Sequence, residues 1–222
     1  MSEPRVFVID DDLEVREALE LLMQSVGLAV TTYDSAQAFL ETFDPDQPGC
    51  IVLDVRMPGM SGLDLQERLS KEKLHPPVII ITGHGDVPMA VRAVKSGAVD
   101  FIEKPFNDQL LLDSVHKSIE KDARQRGEAS RLSELVQRYE SLTPREKEVL
   151  KMVAGGQRNK VIAAELNITQ STVEAHRAKG MEKMNAHSLS DLMRIVMALE
   201  YFDLTPMLLF VFISSLSRSC AL

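Results

Sequence analysis

Three short β-branched runs, VFVI at 6–9, IVL at 51–53 and VIII at 78–81, are separated by segments whose apolar residues recur at helical spacing. Weaker strand-like runs lie at 28–32 (LAVTT) and 99–103 (VDFIE). The intervening helices are predicted at 13–26, 35–43, 62–72, 86–96 and 107–120, with apolar sets such as Leu13, Ala18, Leu19, Leu22 and Met23, or Leu63, Leu65 and Leu69. Strand and helix alternating five times within residues 1–122 predict an α/β domain: a five-stranded parallel, doubly wound sheet, order 2-1-3-4-5, with helices on both faces.

In such a sheet, functional groups collect beyond the carboxyl ends of the strands, where the connections diverge at the switch in strand order. Here the first strand ends in Asp10, Asp11 and Asp12, the third in Asp54, the fourth in Thr82 and the fifth in Lys104, followed by Pro105. With strands 1 and 3 adjacent, Asp10, Asp11 and Asp54 converge. Crowded carboxylates repel one another and favour a divalent cation, and a small oxygen-lined site that retains waters suits Mg²⁺. A hydroxyl from Thr82 and the point charge of Lys104 complete what in-line phosphoryl transfer requires, with Asp54 as the nucleophile.

The second half differs in kind. Of 222 residues with a net charge of −8, residues 1–125 hold 12 Lys+Arg against 22 Asp+Glu, whereas residues 126–222 hold 13 against 11. A polyanion partner therefore belongs to the second half. Residues 123–139 are predicted as a largely helical linker, with Leu132, Leu135, Val136 and Tyr139 as its stripe. At 140–202 an all-α domain is expected: Thr143, Pro144 and Glu146 spell a capping box, and helix signals recur at about 158–166, 171–184 and 188–201. The pair of short helices around Leu166–Asn167–Ile168–Thr169 fits a helix-turn-helix. Ile162, Ala163, Leu166 and Ile168 face inward. Ser171 and Glu174 are expected to form a second capping box. On the helix they open, Val173 and Met184 point inward. Glu174, Ala175, Ala178 and Lys179 point outward, flanked by Arg177 and Lys183, as a surface for a major groove and its phosphates. Gly180 falls in the inward phase, where glycine costs roughly 1 kcal/mol in propensity as well as the burial of a side chain, so a weakened helix is expected.

The motifs VIDDD, LDVRMPGMSG, ITGHGDVPMAV and DFIEKPF resemble the receiver domain of FixJ-type two-component response regulators across residues 4–120. LTPREKEVL, NKVIAAELNI and STVEAHRAKGMEKM resemble the LuxR-type DNA-binding domain that those proteins carry, across about 140–200. The resemblance implies phosphotransfer from a sensor histidine kinase to Asp54. It implies Mg²⁺ held by Asp11, Asp54 and the backbone carbonyl of Arg56, with Asp10 acting mainly through water. Thr82 and Lys104 would engage the phosphoryl group, and Phe101 would be an aromatic switch. Phosphorylation would favour a homodimer through residues 86–103, which places two recognition helices on double-stranded DNA. By the same resemblance Glu174, Ala175 and Ala178 face bases, while Ser171, Thr172, Arg177, Lys179 and Lys183 touch phosphates and Arg158 and Lys160 add backbone contacts.

Plainer roles exist for each residue. Asp12 is expected to cap the first helix. Asp54 could serve a turn, Thr82 could simply end a strand, Lys104 could be a surface lysine and Phe101 could be core. His84 is expected to face solvent, and His176 to be structural or a phosphate donor. The helical half could be a bundle with a solvated charged face. An aspartyl-phosphate phosphatase is the enzymatic alternative, but Arg56 stands where such enzymes need a second acid and no general acid is evident, so no enzyme is expected beyond slow autodephosphorylation. A third reading keeps DNA binding and makes the first domain a phosphorylation-independent dimerisation module. Cys50, within an apolar run, and Cys220 make no disulfide framework, and the N-terminus has no signal-peptide pattern, so a cytoplasmic protein is expected. The tail at 203–222 is atypical: its apolar stretch Met207–Ile213 is too short to span a membrane.

Overall fold

In the computed structural model, which describes residues 3–71 and 75–203, every strand-like run forms a strand: β1 (Arg5–Ile9), β2 (Ala29–Tyr33), β3 (Gly49–Asp54), β4 (Val78–Thr82) and β5 (Asp100–Glu103). They pair in parallel as one sheet in the order β2-β1-β3-β4-β5, as expected. β3 and β4 are buried along their whole length, which is why they read as unbroken apolar runs. Successive side chains of β1 alternate between two cores. Phe7 and Ile9 join Phe39, Leu53, Leu65 and Leu69 on one side of the sheet, and Val6 and Val8 join Leu19, Met23, Leu111 and Val115 on the other.

The first five helices in chain order are α1 (Leu13–Ser25), α2 (Ala36–Thr42), α3 (Gly62–Ser70), α4 (Val87–Lys95) and α5 (Asp108–Glu140). Side chains of Asp12, Ser35, Ser61 and Asp86 accept amide hydrogen bonds from the first turns of α1 to α4, so the loops that follow β1 to β4 each close on a cap. α5 runs well past residue 120, through the linker. No proline interrupts that stretch, and Asp122–Arg126 and Glu134–Arg138 are ion pairs one turn apart. Cys50 is buried and makes no disulfide among the described residues.

The described residues divide into two compact units, one up to Glu128 and one from Ala129 onward. Beyond α5 the second unit holds α6 (Pro144–Ala154), α7 (Asn159–Glu165), α8 (Gln170–Lys183) and α9 (Leu189–Asp203) around Leu142, Val149, Leu150, Val153, Ile162, Val173, Met184 and Leu192. The capping box of Thr143 and Glu146 forms as predicted.

Two expectations need correction. Ser171 and Glu174 do not cap α8: Thr169 is the N-cap, and its hydroxyl accepts the Thr172 amide at 3.2 Å. Asn167 turns the chain through φ 52° and Ile168 packs into the core, so the helix begins at once and Ser171 lies inside its first turn. Gly180 is not a lost side chain either. It is buried, and a Cβ there would stand 2.8 Å from Leu150 Cδ1. Leu150 of α6 already occupies that space, so glycine permits the close approach of the two helices. The atypical tail lies outside the described residues after Asp203.

Candidate functional site

Because β1, β3 and β5 all point the same way, their carboxyl ends deliver Asp10, Asp54 and Lys104 to one place. Lys104 Nζ donates to Asp10 Oδ2 at 2.6 Å and to Asp54 Oδ1 at 2.8 Å. The other oxygen of each carboxylate is also held: Asp10 Oδ1 accepts the Asp12 amide and Asp54 Oδ2 the Arg56 amide. Both carboxylates are buried. Burial pushes the Asp10 carboxyl above its ordinary pKa, against the lowering effect of Lys104 and the Asp12 amide and with a smaller push from the charge on Asp54. Burial also opposes the charge on Lys104, but its bonds to Asp10 and Asp54 together outweigh that and raise its pKa. Two buried acids thus share one ammonium, and the cluster keeps a surplus of negative charge.

Asp11 is exposed and lines a cleft of about 660 Å³ together with Arg56, Met57, Ser61, Asp86 and Met89. Among the described residues no three acidic, histidine or cysteine side chains gather tightly enough to cage a metal by themselves. Of the three expected carboxylates, two meet at Lys104 and the third faces the cleft. The donors at hand are all hard oxygens around excess negative charge, and that chemistry fits Mg²⁺.

Thr82 is fully buried at the end of β4, its hydroxyl accepting the His84 amide at 3.3 Å. Phe101 is half-buried on β5, the neighbouring strand, and its ring and the Thr82 methyl both border Gly85. The Lys104–Pro105 bond is cis. One contributor escaped the sequence reading: Arg16 of α1 donates to the Asp10 carbonyl at 2.7 Å and ties down the β1–α1 loop. Its only signal is a cation one turn into a helix that follows three acids.

On α8, Ser171, Glu174, Ala175, Ala178 and Lys179 are exposed along one stripe, while Val173 and Gly180 are buried on the opposite side. Thr172 and Arg177 are half-buried at the flanks, and Arg158 and Lys160 are exposed at the start of α7. Asn159 of α7, not singled out in the sequence, donates to Glu174 at 3.5 Å and accepts from Arg177 at 3.4 Å. Lys183 departs from expectation. Its ammonium is bonded to Glu146 and to the Ser141 carbonyl, because the last turn of α8 passes the capping box of α6. His176 is half-buried and His84 is exposed. Among the described residues no helix is long and apolar enough to cross a membrane.

Comparison with known proteins matches the response regulator receiver domain over residues 6–116 and the bacterial regulatory proteins of the luxR family over residues 140–196. Nodulation protein W of Bradyrhizobium diazoefficiens is 49% identical over 190 residues, covering 86% of this chain and 84% of that protein. Transcriptional regulatory protein FixJ of Azorhizobium caulinodans is 48% identical, covering 86% and 91%. The solved structure of response regulator StyR superposes with a TM-score of 0.83 at 47% identity, covering 88% of this chain and 98% of that one.

Proposed function

Since this chain belongs to the two-component response regulators of FixJ type, with a receiver domain followed by a LuxR-type DNA-binding domain that regulates transcription, we propose that Asp54 is its phosphoacceptor and that phosphorylation there drives dimerisation and sequence-specific DNA binding. The observation that carries this reading is the ammonium of Lys104 bridging Asp10 and Asp54 at the strand ends.

An oxygen of Asp54 attacks the phosphorus of a phosphohistidine on the kinase. The new Oδ–P bond forms as the P–N bond breaks, and the histidine leaves. Lys104, already at the carboxylate, shifts its donors to the phosphoryl oxygens, and Thr82 offers its hydroxyl to another. Asp11, Asp54 and the carbonyl of Arg56 would hold Mg²⁺, with Asp10 acting through water, and the ion would supply compensating positive charge. Hydrolysis of the product is slow, because the groups bonded to Asp54 among the described residues are Lys104 and a backbone amide, neither of which is a base.

Drawing Thr82 toward the phosphoryl group repacks its neighbour Phe101 and, through the β4–α4 loop, the face formed by residues 86–103. Val87, Val91 and Val94 are exposed there at 76%, 46% and 63%, an apolar stripe suited to a second copy. The dimer presents two α8 helices to two half-sites. Glu174, Ala175 and Ala178 then face bases, while Ser171, Thr172, Arg177, Lys179, Arg158 and Lys160 meet the backbone. The protein works in the cytoplasm, with a receiver at 1–122, a linker at 123–139, a DNA-binding domain at 140–202 and a tail at 203–222. Incubation with acetyl phosphate and Mg²⁺ tests this reading. Stoichiometric labelling that is lost in Asp54→Asn, together with a gain in DNA affinity in the wild type alone, is expected. Equal affinity of both proteins with and without the donor would leave the receiver as a mere dimerisation module.

A further inference from the structure

A single buried amide joins the helix that follows the phosphoacceptor strand to α4. Gly62, the first residue of α3, packs on the end of β3 so closely that a Cβ there would stand 2.0 Å from the Asp54 carbonyl oxygen. Its amide donates to the Val55 carbonyl at 3.0 Å. α3 is therefore seated directly on the backbone of Asp54. One turn along, Gln66 is 1% exposed, on a helix whose other buried side chains are Leu63, Leu65 and Leu69. Its Nε2 donates to the carbonyl of Ala93 in α4 at 2.9 Å, and its Oε1 is buried with no partner among the described residues. At the rim of the same contact Arg92 of α4 donates to Asp64 and Glu67 of α3, both at 2.7 Å.

An apolar side chain of similar volume would fill this slot without stranding an acceptor away from water. What the amide adds is direction: one hydrogen bond fixes where α4 lies along α3, which sliding apolar contacts do not. The helix so fixed is the one that carries Val87, Val91 and Val94 outward. We propose that Gln66 is a positioning residue that conveys phosphorylation of Asp54 from the end of β3, through α3, to the α4 face, alongside the path through Thr82 and Phe101. This inference rests on the phosphorylation reading above.

The test uses the full chain with Gln66→Met, which keeps the volume and removes both the donor and the stranded acceptor. Three quantities are measured: the initial rate of labelling by acetyl phosphate with Mg²⁺, the melting temperature, and the dimer dissociation constant with and without the phosphodonor. The labelling rate and melting temperature are expected to stay at wild-type values, while the phosphorylation-induced tightening of the dimer shrinks about threefold to tenfold. Undiminished tightening overturns the proposal, as does a loss that merely follows slower labelling or lower stability. Should Gln66→Met fail to fold, Gln66→Leu is read by the same criteria. If the wild-type chain is never labelled, the phosphorylation reading itself falls and the inference with it, an outcome that the variants alone cannot produce.

Discussion

Lys183 Nζ lies 2.7 Å from Glu146 Oε2, which fastens the last turn of α8 to the first turn of α6. Lys183, and after it the Thr143 amide, hold the Glu146 carboxyl down to about 2. A carboxylate depressed in the folded state contributes stability that is present above its ordinary value of 4.5 and is lost as the pH falls from there toward about 2. Lys183→Gln is therefore expected to lower the melting temperature of the DNA-binding unit at neutral pH and to flatten its decline across that acid window. Calorimetry of the full chain at stepped pH reads both effects, and a variant with the wild-type pH profile would show that the pair contributes nothing.

The same contact sorts the cations of α8. Lys179 is exposed and has no ion-pair partner among the described residues, whereas Lys183 is spent within the fold. Each phosphate contact contributes about 0.9 to the slope of log affinity against log salt. Lys179→Gln should reduce that slope by about one contact's worth, and Lys183→Gln should leave it unchanged. Filter binding from low to moderate salt distinguishes them, and equal slopes for the two variants would contradict the assignment.

At Gly180 the space is already filled by Leu150. Gly180→Ala inserts a methyl group 2.8 Å from Leu150 Cδ1, and overpacking of this kind costs roughly 1–3 kcal/mol, more than alanine's gain in helix propensity. Trimming the neighbour should relieve the clash, so that Gly180→Ala combined with Leu150→Ala is less destabilised than the two single changes added together. Urea unfolding of the four proteins measures this coupling, and strict additivity would refute it.

The sheet was legible because buried parallel strands must be apolar throughout, so VFVI, IVL and VIII could hardly be anything else, and each ends in the residue that its chemistry needs. The meeting of Asp10, Asp54 and Lys104 follows once strand order is known. What stayed hidden depends on groups distant in the chain. Nothing near Gly180 announces Leu150, nothing near Lys183 announces Glu146, and the sharing of Lys104 between Asp10 and Asp54 while Asp11 turns to the cleft is a matter of tertiary geometry. Thr169 was obscured differently: Ser171 and Glu174 match a capping box in type and spacing, and only the left-handed turn at Asn167 shows that the helix has already begun.

Asp10 illustrates stability set against function. Its carboxyl is raised by burial despite Lys104, so its charge is a burden on the folded state. A carboxyl raised in this way favours folding below its ordinary pKa, and that contribution is lost as the pH rises through the folded value. Asp10→Asn removes the burden, and the receiver is expected to melt higher at neutral pH, with the gain vanishing in acid. Phosphorylation by acetyl phosphate should slow about 10–100-fold, the usual loss when a group supporting a metal from its outer shell is removed. Higher stability with an unchanged rate would separate Asp10 from the phosphoryl chemistry.

Val91 lies at the centre of the exposed stripe of α4, one turn from both Val87 and Val94. A carboxylate at this position would be desolvated against its own copy across a two-fold axis, and like charges juxtaposed at an interface cost several kcal/mol. In the monomer the side chain meets water, so the fold should tolerate the change. Val91→Glu is therefore expected to melt like the wild type and to accept phosphate at the wild-type rate, yet to remain monomeric with the phosphodonor present. Its affinity for a single half-site should be unaltered, while affinity for a paired operator falls to the half-site level. Sedimentation and gel-shift titrations on one-site and two-site DNA measure these outcomes. A phosphorylated Val91→Glu that still dimerises would place the interface elsewhere on the receiver.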